Sequence, residues 1–413
     1  MITGNIPWTD NQTKISTSLW IAFVICFLGN ISAGLISMLM SVYLPVVMTS
    51  LSGHVSDDQL NHISAYINAL YLAGWAIGGF SWGIISDKIG ISRSLTLSLS
   101  SYGLFTLLLS YSTSWEAVVV FRFLSGFAVG GILVIAPTLL SEIWPQKTRS
   151  IILGIDSIGF PIGIFSSGLL NYLVSDWRQA FLMGILPFVL AIVSFWVLKE
   201  SVRWKTATSK VSDKKLKQTD EDKRNLTKGA IIFSSMLIGL WGMFSWIPTW
   251  VQSLLPHSDG QAERGITMML LGVGGLTGGF ISGWISNAIG VRKAMMTCFT
   301  GCIVISFFLF GMNSTFSAVI YFETAILALF FGISQGLLSI YIPQLFPFHI
   351  RGASTGFCFN IGRPVTAVAV FFVGALVTTL GGYSNALLTF AGIFIIGFIT
   401  VYLTKDKPII NTK

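Results

Sequence analysis

The chain has 413 residues, of which 53% are hydrophobic and only 10% are charged, and this composition excludes an ordinary water-soluble protein. Its net charge of +8 does not indicate nucleic-acid binding, because the basic residues lie in the tails and in short segments between long apolar stretches. The 4 cysteines fall inside the apolar stretches, so they indicate neither a disulfide framework nor a metal site. No cofactor is expected, and the chain is not expected to be an enzyme.

Twelve stretches are apolar over about 20 residues, the length that a helix needs to cross a bilayer. In chain order they cover residues 19–48, 63–86, 94–112, 116–141, 150–173, 179–198, 229–252, 265–286, 294–312, 317–341, 352–378 and 385–404. The chain is therefore predicted to be an all-α membrane protein with twelve transmembrane helices in two six-helix bundles. The bundles are residues 1–198 and 229–413, and the charged segment 199–228 is predicted to be a cytoplasmic linker.

Short polar segments of the first bundle recur in the second. Residues 83–90 read Gly-Ile-Ile-Ser-Asp-Lys-Ile-Gly, and residues 283–290 read Gly-Trp-Ile-Ser-Asn-Ala-Ile-Gly. Residues 145–154 and 347–356 likewise share a proline at the start, an arginine one turn later and a glycine at the end. Such repetition indicates two pseudo-symmetric bundles, with a substrate site where they meet.

Basic residues are distributed unevenly between the two sides of the predicted membrane. All lysines and arginines lie in the tails, linker and loops on one side, except Arg122, Arg178, Arg264 and Arg363. Because cytoplasmic loops carry an excess of basic residues, both termini are predicted to be cytoplasmic. We expect a multi-pass protein of the plasma membrane, of the bacterial inner-membrane type, whose surroundings are the lipid bilayer.

The chain resembles a known family through three motifs, which are Gly83-x-x-x-Asp87-Lys88-x-Gly90, Arg122-Phe-Leu-Ser-Gly126 and Ser141-Glu142-Ile-Trp-Pro145. With these it is similar to the major facilitator superfamily over essentially its whole length. Asn360-Ile-Gly362-Arg363 resembles the organic-anion:proton symporters of the sialate and aromatic-acid type. The first span lacks the aspartate motif of the aromatic-acid group and has Asn30, Ser32 and Ser37 as its polar centre. The resemblance implies the superfamily fold, alternating access and a monomer.

Charged residues within the spans are the main candidates for function: Arg122, Asp156, Glu323 and Arg363. A charge at mid-bilayer costs at least about 2.5–3.5 kcal/mol, so each one requires a partner or an aqueous cavity. Glu323 and Arg363 are predicted at a similar depth on adjacent spans, and we expect them to pair. Arg122 then has no carboxylate at its own depth in the first half, and the resemblance implies that it faces the cavity. It is predicted to bind a substrate carboxylate, and the alternative is that it caps backbone carbonyls.

Proton coupling requires a carboxylate that can gain and lose a proton during the cycle. Glu323 beside Arg363 is preferred for this role, and Asp156, which has no evident cationic partner, is the second choice. The alternative for both is a static structural pair. The histidines all map to loops or span ends, which argues against a histidine relay.

Further polar and aromatic residues at mid-span are candidates for substrate contact. Trp241 lies deeper than an interfacial aromatic belt requires and could stack on a ring. Asn30, Gln335 and Asn360 could orient a ligand, although hydrogen bonds between helices are an equally reasonable role for them.

The resemblance implies that loop charges on the cytoplasmic side form an inner gate, which opens and closes during alternating access. The first-half members are Asp87, Arg93, Glu142 and Arg149, and their counterparts in the second half are Asn287, Arg292 and Arg351. Anchoring of the topology by basic residues is the simpler explanation for part of this set.

These features together predict a secondary transporter that takes up a small organic anion with protons. A sialic, sugar or aromatic acid is the expected substrate. One alternative is a proton-driven exporter, suggested by residues 159–163, Gly-Phe-Pro-Ile-Gly, in the fifth span. A transporter-like nutrient sensor without flux is the second alternative.

Overall fold

The computed structural model describes residues 17–51, 56–198, 219–255, 259–347 and 350–404. Within these ranges the chain folds into long helices joined by short loops. They are α1 (Thr17–Leu51), α2 (Asp57–Ile89), α3 (Ile91–Ser110), α4 (Trp115–Ile143), α5 (Gln146–Leu173), α6 (Trp177–Val197), α7 (Asp220–Ser253), α8 (Gln261–Ile289), α9 (Val291–Gly311), α10 (Val319–Gln344), α11 (Arg351–Thr379) and α12 (Tyr383–Tyr402). Short breaks interrupt three of them, at Leu182–Gly184 in α6, after Phe244 in α7 and after Ala391 in α12.

The prediction of an all-α, multi-pass membrane protein is confirmed. Of these helices, 11 are long and apolar enough to cross a membrane. The exception is α3, whose 20 residues include many serines. Several polar groups of α3 bind partners inside the bundle: Ser98 Oγ donates to the carbonyl of Ala128 at 2.8 Å, and Tyr102 OH donates to that of Gly29 at 3.1 Å. The helix therefore lies in the first bundle without a fully apolar sequence.

The seventh helix begins earlier than the sequence pattern indicates. Residues 220–228, which we assigned to the linker, form its first turns. Thr219 and Asp222 make a capping box in which each side chain binds the other residue's backbone N–H, and this stabilises the helix start. Most of the predicted linker, residues 199–218, lies outside the described residues.

Both halves repeat one packing pattern, as the duplicated segments predict. In the first half α2 packs on α4 and α1 on α5, and in the second half α8 packs on α10 and α7 on α11. The two recurring loops also share one geometry. Gly90 joins α2 to α3 with φ 102°, and Gly290 joins α8 to α9 with φ 84°. Such φ values favour glycine, so the repeated glycine is required by the turn.

Two helix pairs form most of the contact between the halves: α5 with α8, and α2 with α11. Glycines bring α5 and α8 close together. A β-carbon on Gly168 would lie 2.5 Å from the carbonyl oxygen of Gly265, and one on Gly272 would lie 2.5 Å from the backbone N of Phe165. Small residues permit this approach where lipid supplies no hydrophobic drive between helices.

Hydrogen bonds link the two halves at one end of the bundle. We call the end with the α2–α3, α4–α5, α8–α9 and α10–α11 loops the basic end, and the opposite one the far end. At the far end Arg264 of α8 is 1% exposed, and its Nε donates to the carbonyl of Val42 in α1 at 3.1 Å. The Tyr383 hydroxyl binds the side-chain oxygen of Asn61, which joins α12 to α2. These bonds link the two halves at the far end.

Candidate functional site

A cavity of about 670 Å³ lies between the two halves and extends toward the basic end. Its walls come from α2, α5, α7, α8, α10 and α11, with single residues from α1 and α4. Seven aromatic residues line it: Trp75, Phe160, Phe233, Trp241, Phe244, Phe280 and Phe331. The cavity is where the duplicated sequence predicts a site, at the interface of the halves.

Three rings from both halves meet in the wall of the cavity. Trp75 of α2 contacts Trp241 of α7 edge to face, with ring centroids 4.8 Å apart. Phe160 of α5 lies 6.0 Å from Trp75 and 6.5 Å from Trp241. Trp241, which we predicted to contact substrate, is thus a wall residue of the cavity. Edge-to-face contacts of this kind stabilise an apolar, shape-defining surface.

Arg363 supplies the positive charge of the cavity lining. Its Nη1 donates to the side-chain oxygen of Asn360 at 3.2 Å, and Asn360 in turn donates to the carbonyl of Gly356 at 2.9 Å. No carboxylate of the described residues lies within ion-pair distance of this guanidinium. Asn360 therefore orients Arg363 without neutralising it.

Two further hydrogen-bond donors of the cavity wall have no acceptor. Nε1 of Trp75 and Nε2 of Gln335 are buried and make no hydrogen bond within the described part of the chain. Leaving a buried donor unpaired costs about 1–3 kcal/mol. Arg363 makes the lining complementary to a negatively charged ligand, and two of the residues beside it, Trp75 and Gln335, carry buried donors without a partner.

The predicted pair between Glu323 and Arg363 is not formed. Oε2 of Glu323 instead accepts a hydrogen bond from Asn313 Nδ2 at 2.7 Å. The reason is position along the helix: α10 begins at Val319, so Glu323 lies about one turn from its start, at the far end. Glu323 is not among the cavity residues.

Arg122 lies inside the first bundle rather than in the cavity wall. Its Nη1 donates to the carbonyl of Ile36 at 3.1 Å and its Nη2 to that of Ser37 at 3.4 Å. The guanidinium carbon is 3.7 Å from the ring centroid of Tyr71, a cation–π distance. This arrangement matches the alternative of carbonyl capping, because the side chain points from α4 toward α1 and α2.

Asp156 and Asn30 form a buried pair between α5 and α1. Asn30 Nδ2 donates to Asp156 Oδ2 at 2.7 Å. Asn30 is 4% exposed and Asp156 is 2% exposed. The Oδ1 atoms of both side chains have no hydrogen-bond partner in the described structure. Asp156 itself does not line the cavity, but its neighbours Ile155 and Ser157 do. Asn30, predicted to contact substrate, thus binds a carboxylate of its own bundle.

The predicted gate residues lie at the basic end. Two of the arginines bind carbonyls of their own half: Arg149 Nη2 donates to Trp144 at the end of α4 at 3.1 Å, and Arg292 Nε donates to Val401 near the end of α12 at 3.2 Å. Asp87, Arg93 and Asn287 are exposed there and Glu142 is half-buried, whereas the side chain of Arg351 lies outside the described residues. Cations at helix ends are favoured by the exposed carbonyls.

Trp75 and Arg264 are prominent in the structure but carry no distinctive sequence signal. Trp75 is one of 13 tryptophans, and only the fold brings it into the cavity. Arg264 falls beside a predicted loop, yet α8 begins at Gln261 and buries it. The one hint that Arg264 is important was its position on the predicted side of the membrane that holds few basic residues.

Comparison with known proteins gives one family and several relatives. The sequence model of the Major Facilitator Superfamily matches residues 25–367. The cis,cis-muconate transport protein of Acinetobacter baylyi is 26% identical over 97% of this chain and 98% of its own length. The gallate transporter of Pseudomonas putida is 24% identical over 94% of this chain and 91% of its own length. Both names are those of transporters, in agreement with the expectation that the chain is not an enzyme.

A solved structure shares the fold. The crystal structure of a D-xylose-proton symporter superposes with a TM-score of 0.77, covering 94% of this chain and 99% of that one, at 15% sequence identity. At that identity the likeness concerns the architecture of the two bundles.

Proposed function

We propose that the chain, which belongs to the Major Facilitator Superfamily, transports a small organic acid across the membrane. The acid is carried as its anion, which Arg363 binds. The observation that carries this proposal is the guanidinium in the cavity without a carboxylate partner among the described residues. A carboxylate can accept two parallel hydrogen bonds from a guanidinium, which gives both charge and orientation. Trp75 Nε1 and Gln335 Nε2 supply further donors for the same ligand.

The walls favour a flat, unsaturated or aromatic acid over a sialic or sugar acid. A polyol needs many hydrogen-bond partners, but the hydroxyls of the lining already donate within their own helices. Ser157 donates to Gly154, Ser339 to Gln335 and Thr366 to Gly362. The surrounding rings instead suit a planar ligand. The muconate and gallate in the relatives' names are carboxylic acids of this flat type.

We further propose proton coupling through Asp156. A proton on its carboxyl would supply a donor to a side-chain pair in which two oxygens have no partner. Asp156 also lies on the helix that carries Ile155 and Ser157 into the cavity wall, so a change at the pair reaches the site through α5. Glu323 is less suited, because it lies at the far end and away from the cavity.

Sidedness and gating complete the proposal. The excess of basic residues favours a cytoplasmic basic end and cytoplasmic termini, as in the inner membrane of a bacterium. The cavity then opens to the cytoplasm, while Arg264 and Tyr383 close the outer side. We propose that Asp87, Arg93, Glu142 and Arg149, with Asn287, Arg292 and Arg351, form contacts between the halves in the opposite, outward-open state.

Uptake by proteoliposomes tests this function. The labelled panel is cis,cis-muconate, gallate, 4-hydroxybenzoate, N-acetylneuraminate and xylose, each with and without an inward proton gradient. We expect one of the flat acids to accumulate with the gradient, and Arg363→Ala to abolish its uptake. Efflux of a lipophilic cation in exchange for protons, with no uptake of any acid, would instead establish the exporter. Binding of an acid without flux would indicate the sensor.

A further inference from the structure

Gly79 on α2 faces the guanidinium of Arg363 across the interface of the two halves. A β-carbon built at Gly79 would lie 2.6 Å from Nη1 of Arg363 and 3.7 Å from Oδ1 of Asn360. The Trp75 ring, one turn earlier on the same helix, is 6.0 Å from the guanidinium carbon. Positions 75 and 79 therefore share the face of α2 that meets the charged group of the opposite half.

Gly79 differs in its surroundings from the other glycines of α2. A β-carbon at Gly74 or Gly78 would collide with the backbone of α4 near Phe123 and Phe127, so these two glycines serve helix packing. At Gly83, one turn after Gly79, no atom lies within 4 Å. Gly79 alone among these four meets the end of a charged side chain that lines the cavity.

A methyl group at position 79 would move Arg363 rather than the helices. The nearest obstacle is the end of a flexible side chain, and Nη1 would have to retreat by about 1 Å to restore ordinary contact. The hydrogen bond from Nη1 to Asn360 at 3.2 Å fixes the same atom from its own helix. Nη1 is thus held between Asn360 of the second half and Gly79 of the first.

We infer that Gly79 is a positioning residue: it determines where the Arg363 guanidinium lies when it binds the anion. This inference rests on the proposed function. Because Gly79 and Arg363 belong to different halves, the position of the guanidinium depends on contact between α2 and α11. The anion site is therefore complete in the state seen here and changes when the halves move apart. Because glycine at position 79 leaves room for the guanidinium only where α2 meets α11, the geometry of anion binding depends on the conformational state of the transporter.

Transport kinetics of matched glycine variants test the inference. Gly79→Ala is expected to raise KM for the transported acid by at least about tenfold, with kcat less affected, because misplacement by about 1 Å weakens a two-point hydrogen bond. Gly83→Ala, the same substitution one turn along the same helix, is expected to leave KM within about twofold, since its β-carbon meets open space.

A double variant separates positioning from general packing. In Arg363→Lys the Nη1 atom is missing, so adding Gly79→Ala should then change KM by less than about twofold. If Gly79→Ala raises KM equally in both backgrounds, or if Gly83→Ala does as much as Gly79→Ala, the positioning role is refuted.

A readout without substrate keeps this test apart from the proposed function. A cryo-electron microscopy structure of Gly79→Ala should show the Arg363 guanidinium displaced by about 1 Å, with α2 and α11 in place, whereas Gly83→Ala should leave it unmoved. An undisplaced guanidinium in Gly79→Ala overturns the inference, even if acids are transported. A displaced one supports it, even if no acid of the panel is taken up and the proposed function fails.

Discussion

Replacing Trp75 by phenylalanine separates the binding role of its indole N–H from the packing role of its ring. The substitution keeps an aromatic ring beside Trp241 but removes Nε1–H, the donor without a partner in the described structure. A hydrogen bond to a charged acceptor contributes about 1.5–3 kcal/mol. If Trp75 Nε1 donates to the substrate carboxylate, affinity should fall by roughly 10- to 150-fold.

The stability of the free protein should change little in the same variant. Loss of part of the edge-to-face contact with Trp241, at a centroid distance of 4.8 Å, costs about 0.5–1.5 kcal/mol. Removal of a buried donor without a partner relieves about 1–3 kcal/mol, so the two effects offset each other to within about 2.5 kcal/mol. Thermal unfolding in detergent checks this expectation, and titration of the purified protein with the transported acid gives the affinity.

Trp246 offers a matched control for this experiment. Its Nε1 is also buried without a hydrogen-bond partner in the described structure, and its ring packs on Tyr383 at 5.9 Å, but it does not line the cavity. Trp246→Phe should therefore leave the affinity unchanged. Equal loss of affinity in Trp246→Phe, or none in Trp75→Phe, would refute the assignment of the unpaired donors to the substrate.

Asp156→Asn should abolish the acceleration of uptake by a proton gradient while preserving exchange of the acid. Glu323→Gln should retain the acceleration. The reverse pattern would show that Glu323, at the far end, carries the proton. Gly163→Ala should lower the unfolding temperature, since its β-carbon would collide with the carbonyl of Ile31 and overpacking costs about 1–3 kcal/mol, whereas Gly154→Ala, with nothing within 4 Å, should not. Arg264→Gln should widen spin-label distances between the halves at the far end, because it loses the bond to the α1 carbonyl; unchanged distances would exclude a closing role.

The architecture could be predicted from the sequence because length and apolarity specify membrane helices almost without regard to tertiary contacts. The repeated segments at residues 83–90 and 283–290 also indicated the duplication, and Gly90 and Gly290 adopt matching turns. Trp241, Gln335 and Arg363 were expected near a ligand, and all three line the cavity. Depth along the helix pointed to them, but it did not separate them from Arg122 and Asn30, which do not line the cavity.

Residue pairing could not be predicted in the same way. Depth estimates gave Arg122 and Glu323 a similar level, but contacts depend on direction around the helix axis and on helix starts. Arg122 points toward α1, where it binds the Ile36 carbonyl, and a helix start at Val319 leaves Glu323 near a loop. The importance of Gly79 arises from an absent side chain, which only the structure of the neighbouring half makes visible.

Comparison of an acid with its uncharged ester tests directly whether Arg363 binds the substrate carboxylate. Binding of the panel acid that is taken up fastest, and of its methyl ester, is measured by titration of the wild-type protein and of Arg363→Gln. We predict that the wild type binds the acid at least about tenfold more tightly than the ester, and that Arg363→Gln binds both equally weakly. If Arg363→Gln still prefers the acid by the same factor, the carboxylate is held elsewhere and Arg363 is not its binding residue.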